Sequence, residues 1–140
     1  MISLILFLEN GKNIQDLKYS DITGNIIGAA MKVHAAIGSG FPEKIYQRSL
    51  IIELRAMDLK CNSEMEKDIF YKGIKVGSRR LDLFVEDKVL VELKAISEID
   101  NGCFNQIINY LKVFQLEVGL LLNFGKPSLE FKRFVNSKIL

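Results

Sequence analysis

The sequence predicts a single α/β domain in which two helices are followed by three strands, a third helix and two further strands. Three observations predict it. Apolar residues from Ile22 to Met57 fall at helical spacing, those from Met65 to Leu93 sit in strand-forming runs, and helical spacing returns from Asp100 to about Gln115 before two more apolar runs. The 140 residues match the usual size of one domain, and 49% apolar content is enough for one core. No internal repeat, linker or low-complexity segment divides the chain. The expected boundaries are an N-terminal extension over 1–16 and one domain over 17–140.

The run Ile2 to Leu8 is apolar, and Glu9-Asn10-Gly11-Lys12 breaks it with turn residues, so it reads as an added edge strand or a free extension. Ser20 or Asp21 suits the cap of a first helix, whose apolar positions Ile22, Ile26, Ala29, Ala30, Val33 and Ile37 keep helical spacing up to Gly38. Gly38-Ser39-Gly40 ends it. Pro42 suits the first turn of a second helix, which carries Tyr46, Leu50, Leu54 and Met57 on one stripe. From Lys60 the pattern changes. Met65, Ile69 and Tyr71 fall among charges, Gly73 makes a turn, and Leu81 to Val85 and Val89 to Leu93 are rich in strand formers, which predicts an antiparallel meander. The third helix follows through Phe104, Ile107, Ile108, Leu111 and Phe114. Val118 to Asn123 is an apolar strand, and Gly125-Lys126-Pro127 turns the chain into a last strand, Leu129 to Val135, expected as an exposed edge open to pairing.

Composition excludes little and suggests a setting. Nineteen basic against 17 acidic residues, spread over both halves, make no case for a nucleic-acid partner by charge alone. Cys61 and Cys103 form no CxxC and have no His-rich neighbourhood, which fits a reducing, cytoplasmic protein. The first apolar run lacks preceding basic residues and a cleavage site and is too short for a bilayer, so no membrane association is expected.

Chemistry concentrates in one hairpin. Centring Leu81-Asp82-Leu83-Phe84-Val85 and Val89-Leu90-Val91-Glu92-Leu93-Lys94 on Asp87 pairs Val85 with Val89 and Leu83 with Val91. That register places Leu81, Leu83, Val85, Val89, Val91 and Leu93 on one apolar face, and a slip by one residue would mix the faces. Asp82 then lies across from Glu92, and two facing carboxylates repel unless a cation such as Mg²⁺ or Mn²⁺ lies between them. Lys94 points to the same side, where its ammonium can orient a water or steady charge on a phosphate. The competing reading is a solvated charged face with Lys94 neutralising one carboxylate. Phe84 and Leu90 weigh against it, since they share that face and should cover part of it.

Asp82 followed by Glu92-Leu93-Lys94 resembles the D…(D/E)xK signature of PD-(D/E)xK nucleases, and Gly40-Phe41-Pro42-Glu43-Lys44-Ile45-Tyr46 resembles the motif of the GxxExxY protein family. Val33-His34 and Ala95 also fit that family, and the resemblance runs from about Leu17 to Val135. It implies a restriction-endonuclease-like core, a mixed sheet flanked by helices. It also implies that Asp82 and Glu92 bind Mg²⁺ or Mn²⁺, that Leu93 adds a backbone carbonyl, and that Lys94 assists attack of water on a phosphodiester. Leu81 stands where the name-giving proline would be, a position that varies widely. Gln106 and Tyr110 match the Q-x-x-x-Y pattern of RecB-like branches, which implies a hold on Lys94 and contact with a DNA backbone. RecB-like nucleases take a further metal or water contact from their first helices. Glu43 ranks ahead of His34 for that role, with Tyr46 one turn on from Glu43. The plain alternatives are a helix-dipole role for Glu43, a core hydrogen bond for His34, and a core rim position for Tyr110.

Three function classes follow. The first is a metal-dependent nuclease acting on DNA, with RNA second. The others are an inactive nucleic-acid-binding or scaffold module with the same fold, and a purely structural protein. A homodimer is compatible with each.

Overall fold

The computed structural model describes residues 5–7 and 18–136. The elements are β1 (Ile5–Phe7), α1 (Ser20–Ile37), α2 (Glu43–Ala56), β2 (Cys61–Tyr71), β3 (Ile74–Val85), β4 (Val89–Lys94), α3 (Asn101–Val113), β5 (Val118–Asn123) and β6 (Glu130–Asn136). They form one mixed six-stranded sheet in the order β1-β6-β5-β4-β3-β2. Neighbours are antiparallel except β4 and β5, which run parallel and are joined through α3. Such a parallel pair needs a long crossover, and α3 supplies it.

Two apolar layers hold the sheet. On one face α1 and α2 bury Ile26, Ala30, Tyr46, Leu50 and Leu54 against Leu83, Val91, Leu93, Leu120 and Leu122. On the other, α3 buries Ile107 and Leu111 against Phe84, Leu90, Leu121 and Phe134. The central strands β4 and β5 are covered on both sides, which is why they read as continuous apolar runs. Cys61 packs in the first layer and Cys103 beside the second; both are free. Among the described residues no helix is long and apolar enough to cross a membrane.

Several local expectations change. Neither Ser20 nor Asp21 caps α1: Tyr19 takes that place in a left-handed conformation, without a side-chain cap, and Asp21 sits in the first turn, where the helix dipole favours an acid. Pro42 is the residue before α2 rather than inside it. Asp100 caps α3, accepting from the Cys103 N–H at 3.1 Å. The last strand is no free edge, because β6 is paired with β5 on one side and with β1 on the other. Part of the N-terminal apolar run, Ile5–Phe7, therefore forms the added edge strand, while the turn at Glu9 to Lys12 lies outside the described residues.

Candidate active site

The hairpin register centred on Asp87 is present: Leu83 pairs with Val91, Phe84 with Leu90 and Val85 with Val89. The ladder stops there. One step further, Asp82 Oδ2 accepts the Leu93 N–H at 2.9 Å, while the Asp82 carbonyl accepts from Gln47 Nε2 at 2.6 Å. Side-chain bonds thus replace the next rungs and the two strands open into a fork. Across the sheet from Asp82, Glu64 of β2 holds φ 59, an uncommon left-handed conformation inside a strand. The expected apolar face breaks at this point. Leu83 packs toward α1 and α2, but Leu81 packs in the α3 layer. Because β3 turns over at Asp82, the carboxylate enters the fork instead of standing on one face.

Glu92 comes from the central strand β4 and is only 3% exposed, which removes the solvated-face reading. Phe84 and Leu90 are buried in the α3 layer on its side of the sheet, the cover their positions in the sequence implied. Oε1 of Glu92 is buried and has no hydrogen-bond partner. Burial, followed by the Asp82 charge, pushes the Glu92 pKa up to about 8. Asp82 is also raised, by burial, although the Leu93 N–H and the Lys94 charge pull it back. The two carboxyls share a hydrogen bond that favours the ionised form of Asp82 and the protonated form of Glu92. Asp82 is bridged to neither Lys94 nor Arg80; Arg80 pairs with Glu64 at 3.3 Å.

Lys94 ends β4 and donates from Nζ to Gln106 Oε1 at 3.1 Å; Gln106 Nε2 donates in turn to the Tyr110 hydroxyl at 3.1 Å. An ammonium only donates, so the amide must present its oxygen to Lys94 and its nitrogen to Tyr110. Four-residue spacing on α3 puts both partners on one helix face. The Lys94 carbonyl accepts from Phe124 N–H at 2.8 Å, so Lys94 turns its backbone toward β5. Leu93, one residue earlier, turns its own N–H and carbonyl toward the fork.

Glu43 opens α2, where the dipole favours it, and much of the residue is exposed. Its carboxyl end nonetheless belongs to the same electrostatic group. Burial and then the Asp82 charge push its pKa up, and Lys94 pulls it down. Tyr46 is fully buried and serves the loop before α2: its hydroxyl donates to the Gly38 carbonyl at 2.7 Å and accepts from the Phe41 N–H at 3.2 Å. Its ring stacks on Phe124 at 4.5 Å. His34 is a core residue whose Nε2 meets the Lys126 carbonyl at 2.8 Å. The structure therefore gathers Asp82, Glu92, Lys94, Gln106, Tyr110 and Glu43, and gives His34 and Tyr46 structural positions.

Sequence reasoning missed three supports. Gln47 is 6% exposed and fixes the Asp82 backbone; its signal was its place one turn after Glu43. Glu64 also accepts from Lys44, on α2. Asn123, fully buried, accepts from the Ile96 and Gly125 N–H groups at 3.0 Å and donates to the Ile96 carbonyl at 3.0 Å, which fixes the chain leaving Lys94. A Cβ at Gly125 would lie 2.2 Å from the Ile96 carbonyl oxygen, so this approach admits only glycine.

A cation fits this donor set. Glu92 Oε1 is an orphaned buried oxygen, Asp82 supplies a second carboxylate, and the Leu93 carbonyl faces the same fork. Among the described residues no group of three or more His, Cys, Asp or Glu is gathered for a metal. The remaining positions around a hard cation would thus fall to neutral oxygens, as Mg²⁺ sites commonly show.

A family model described as the PD-(D/E)XK nuclease superfamily matches residues 20–134. No curated protein matches the chain. Among solved structures the chain is similar to the crystal structure of SSO0001, with 17% identity and a TM-score of 0.44 over 86% of this chain; the match spans 58% of that chain.

Proposed function

The chain belongs to the PD-(D/E)XK nuclease superfamily, and from that premise we propose that it is a Mg²⁺- or Mn²⁺-dependent nuclease hydrolysing phosphodiester bonds, with DNA ahead of RNA as substrate. The observation that carries the reading is Glu92 Oε1, a carboxylate oxygen buried without a partner beside a second carboxylate. A fold maintains such an oxygen at a cost unless a ligand completes it. In this reading Asp82, Glu92 and the Leu93 carbonyl would hold the cation. When bound, it would supply Lewis-acid stabilisation of phosphate charge and ease deprotonation of water.

The chain's own residues do the rest. Gln106 and Tyr110 hold the Lys94 ammonium, which orients the attacking water and meets the charge that builds on the phosphate. Water adds to phosphorus as the bond to the leaving oxygen breaks, and that oxygen takes up a proton from solvent. Glu43, raised by burial and by Asp82, is the group assigned to take the released proton. Gln47 keeps Asp82 in place.

The finer assignment, to the GxxExxY family, is supported by what its spacing does. Gly40 holds φ 108, Glu43 begins α2, and Tyr46 closes the loop through Gly38 and Phe41. The three residues together set the entry angle of α2 and hence the position of Glu43. A single domain over 17–140 in a reducing cytoplasm is part of the same proposal.

The test is cleavage of labelled DNA and RNA strands in Mg²⁺, Mn²⁺ and EDTA by the parent and by Lys94→Ala. Metal-dependent cleavage lost in Lys94→Ala is expected. Equal cleavage by both proteins would reject the assignment of Lys94. Nucleic-acid binding without turnover in any metal would put the inactive binding module in its place.

A further inference from the structure

β3 keeps β4 as a partner only from Leu83 to Val85; from Leu81 back to Ile74 its strand partner is β2 alone. The two strands continue past the site as a ribbon whose tip lies roughly 25 Å from Asp82, at about 3.3 Å per residue. The tip exposes Tyr71 and Ile74 at 64% and 69%.

The two faces of the ribbon differ. Cross-strand partners share a face, so Glu66 with Arg80 and Asp68 with Ser78 lie on one side, where the acids are satisfied: Lys75 meets Asp68 at 3.2 Å and Ser78 donates to Glu66 at 2.8 Å. The other side carries Met65 with Leu81, then Lys67 with Arg79, then Ile69 with Gly77; past a bulge between Ile69 and Phe70, Tyr71 pairs with Ile74 at the tip. It has no acid. Lys67 and Arg79 stand directly opposite each other, and like charges so placed repel. Arg79 donates only to the neighbouring Ser78 carbonyl, and neither cation forms an ion pair among the described residues.

This side is continuous with the candidate active site. From Lys94 the contacts run through Gln106 to Tyr110, whose ring lies 5.8 Å from Phe114, and Lys67 Nζ sits 5.9 Å from the Phe114 ring. Lys67, whose ammonium also lies 5.9 Å from the Phe84 ring, is therefore reached from Lys94 along one strip, with Arg79 across the strand from it.

We infer that this face of the β2–β3 ribbon is a binding arm for single-stranded nucleic acid flanking the scissile phosphate. Lys67 and Arg79 take backbone phosphates, and Tyr71 at the tip stacks on an unpaired base, the pairing of basic groove and aromatic platform that suits single strands. The inference deepens the nuclease reading and rests on it for the direction in which the strand runs.

The test is fluorescence anisotropy in EDTA with a labelled single strand of about 20 nucleotides, longer than the roughly 4–16 that a single-strand-binding fold occupies. Lys67→Ala/Arg79→Ala should bind about tenfold more weakly and lower the salt slope by about 1.4, near 0.7 for each phosphate lost. Tyr71→Ala should bind at least about fivefold more weakly. Lys75→Ala, on the opposite face, should stay within about twofold. The double variant loses a like-charge pair, so its melting temperature should match or exceed that of the parent, and each single variant should show part of the loss.

Hydrolysis of bis-p-nitrophenyl phosphate in Mn²⁺ separates the two readings, since this diester is too small to reach the arm. Unchanged strand binding by Lys67→Ala/Arg79→Ala with intact small-diester hydrolysis overturns the arm and leaves the active site. No hydrolysis by the parent, with arm-dependent strand binding, overturns the active site and leaves the arm. A change in oligomeric state by light scattering, without a change in strand binding, would assign the face to a second copy of this chain and overturn the inference.

Discussion

Glu92→Gln should remove much of the loss of stability that rising pH imposes on the parent. With a pKa of about 8 against an ordinary 4.5, Glu92 keeps its proton in the folded protein over a range where the unfolded chain has lost it. A raised folded pKa gives stability that is fully present below about 4.5 and is lost as pH rises through about 8. Each unit in that window costs on the order of 1 kcal/mol, so the loss across it is on the order of 4 kcal/mol. That is a large share of the roughly 5–15 kcal/mol by which domains are stable. Asp82, raised as well, acts in the same direction. Glutamine keeps the shape but does not titrate, and any penalty for its buried amide is independent of pH. Urea unfolding of both proteins in EDTA at pH 5, 6, 7 and 8 should therefore give curves that diverge, with the variant gaining on the parent at each step. Parallel curves would refute the buried, strained state of Glu92.

Other perturbations read other parts of the site. Asp82→Asn keeps an acceptor for the Leu93 N–H and removes the charge beside Glu92, so by thermal melting in EDTA it should be as stable as the parent or more so, and it should lose most of the rise that Mn²⁺ gives the parent. Gln106→Ala frees the Lys94 ammonium without removing it, so steady-state kinetics should show kcat falling to a value between those of the parent and Lys94→Ala. Tyr46→Phe leaves the Gly38 carbonyl and the Phe41 N–H to water and should cost about 1 kcal/mol in urea unfolding, with the metal response retained.

Much of the site was legible because its signals are local. The apolar pattern of the hairpin set the Leu83–Val91 register, and Phe84 and Leu90 beside Glu92 foretold its burial. The resemblance of Gln106 and Tyr110 to the Q-x-x-x-Y pattern implied the hold on Lys94, and their four-residue spacing put both on one helix face. What was not legible depends on partners far away in sequence. The turnover of β3 at Asp82 involves the left-handed Glu64 and the Gln47 amide, 35 residues away, so alternation alone placed Leu81 on the wrong face. The last strand read as an edge because its partner β1 comes from the other end of the chain. Asn123 looked like the polar end of an apolar strand, and only the approach of Ile96 shows what it holds.

The most direct measurement is an anomalous difference map from a crystal soaked in Mn²⁺ near pH 8, where Glu92 gives up its proton most easily. A peak within about 2.0–2.3 Å of carboxylate oxygens of both Asp82 and Glu92 is the predicted result, with the Leu93 carbonyl as a third contact. A map with no peak between those two residues, from a crystal whose Glu92 Oε1 still has no partner, would contradict the metal site and with it the proposed nuclease.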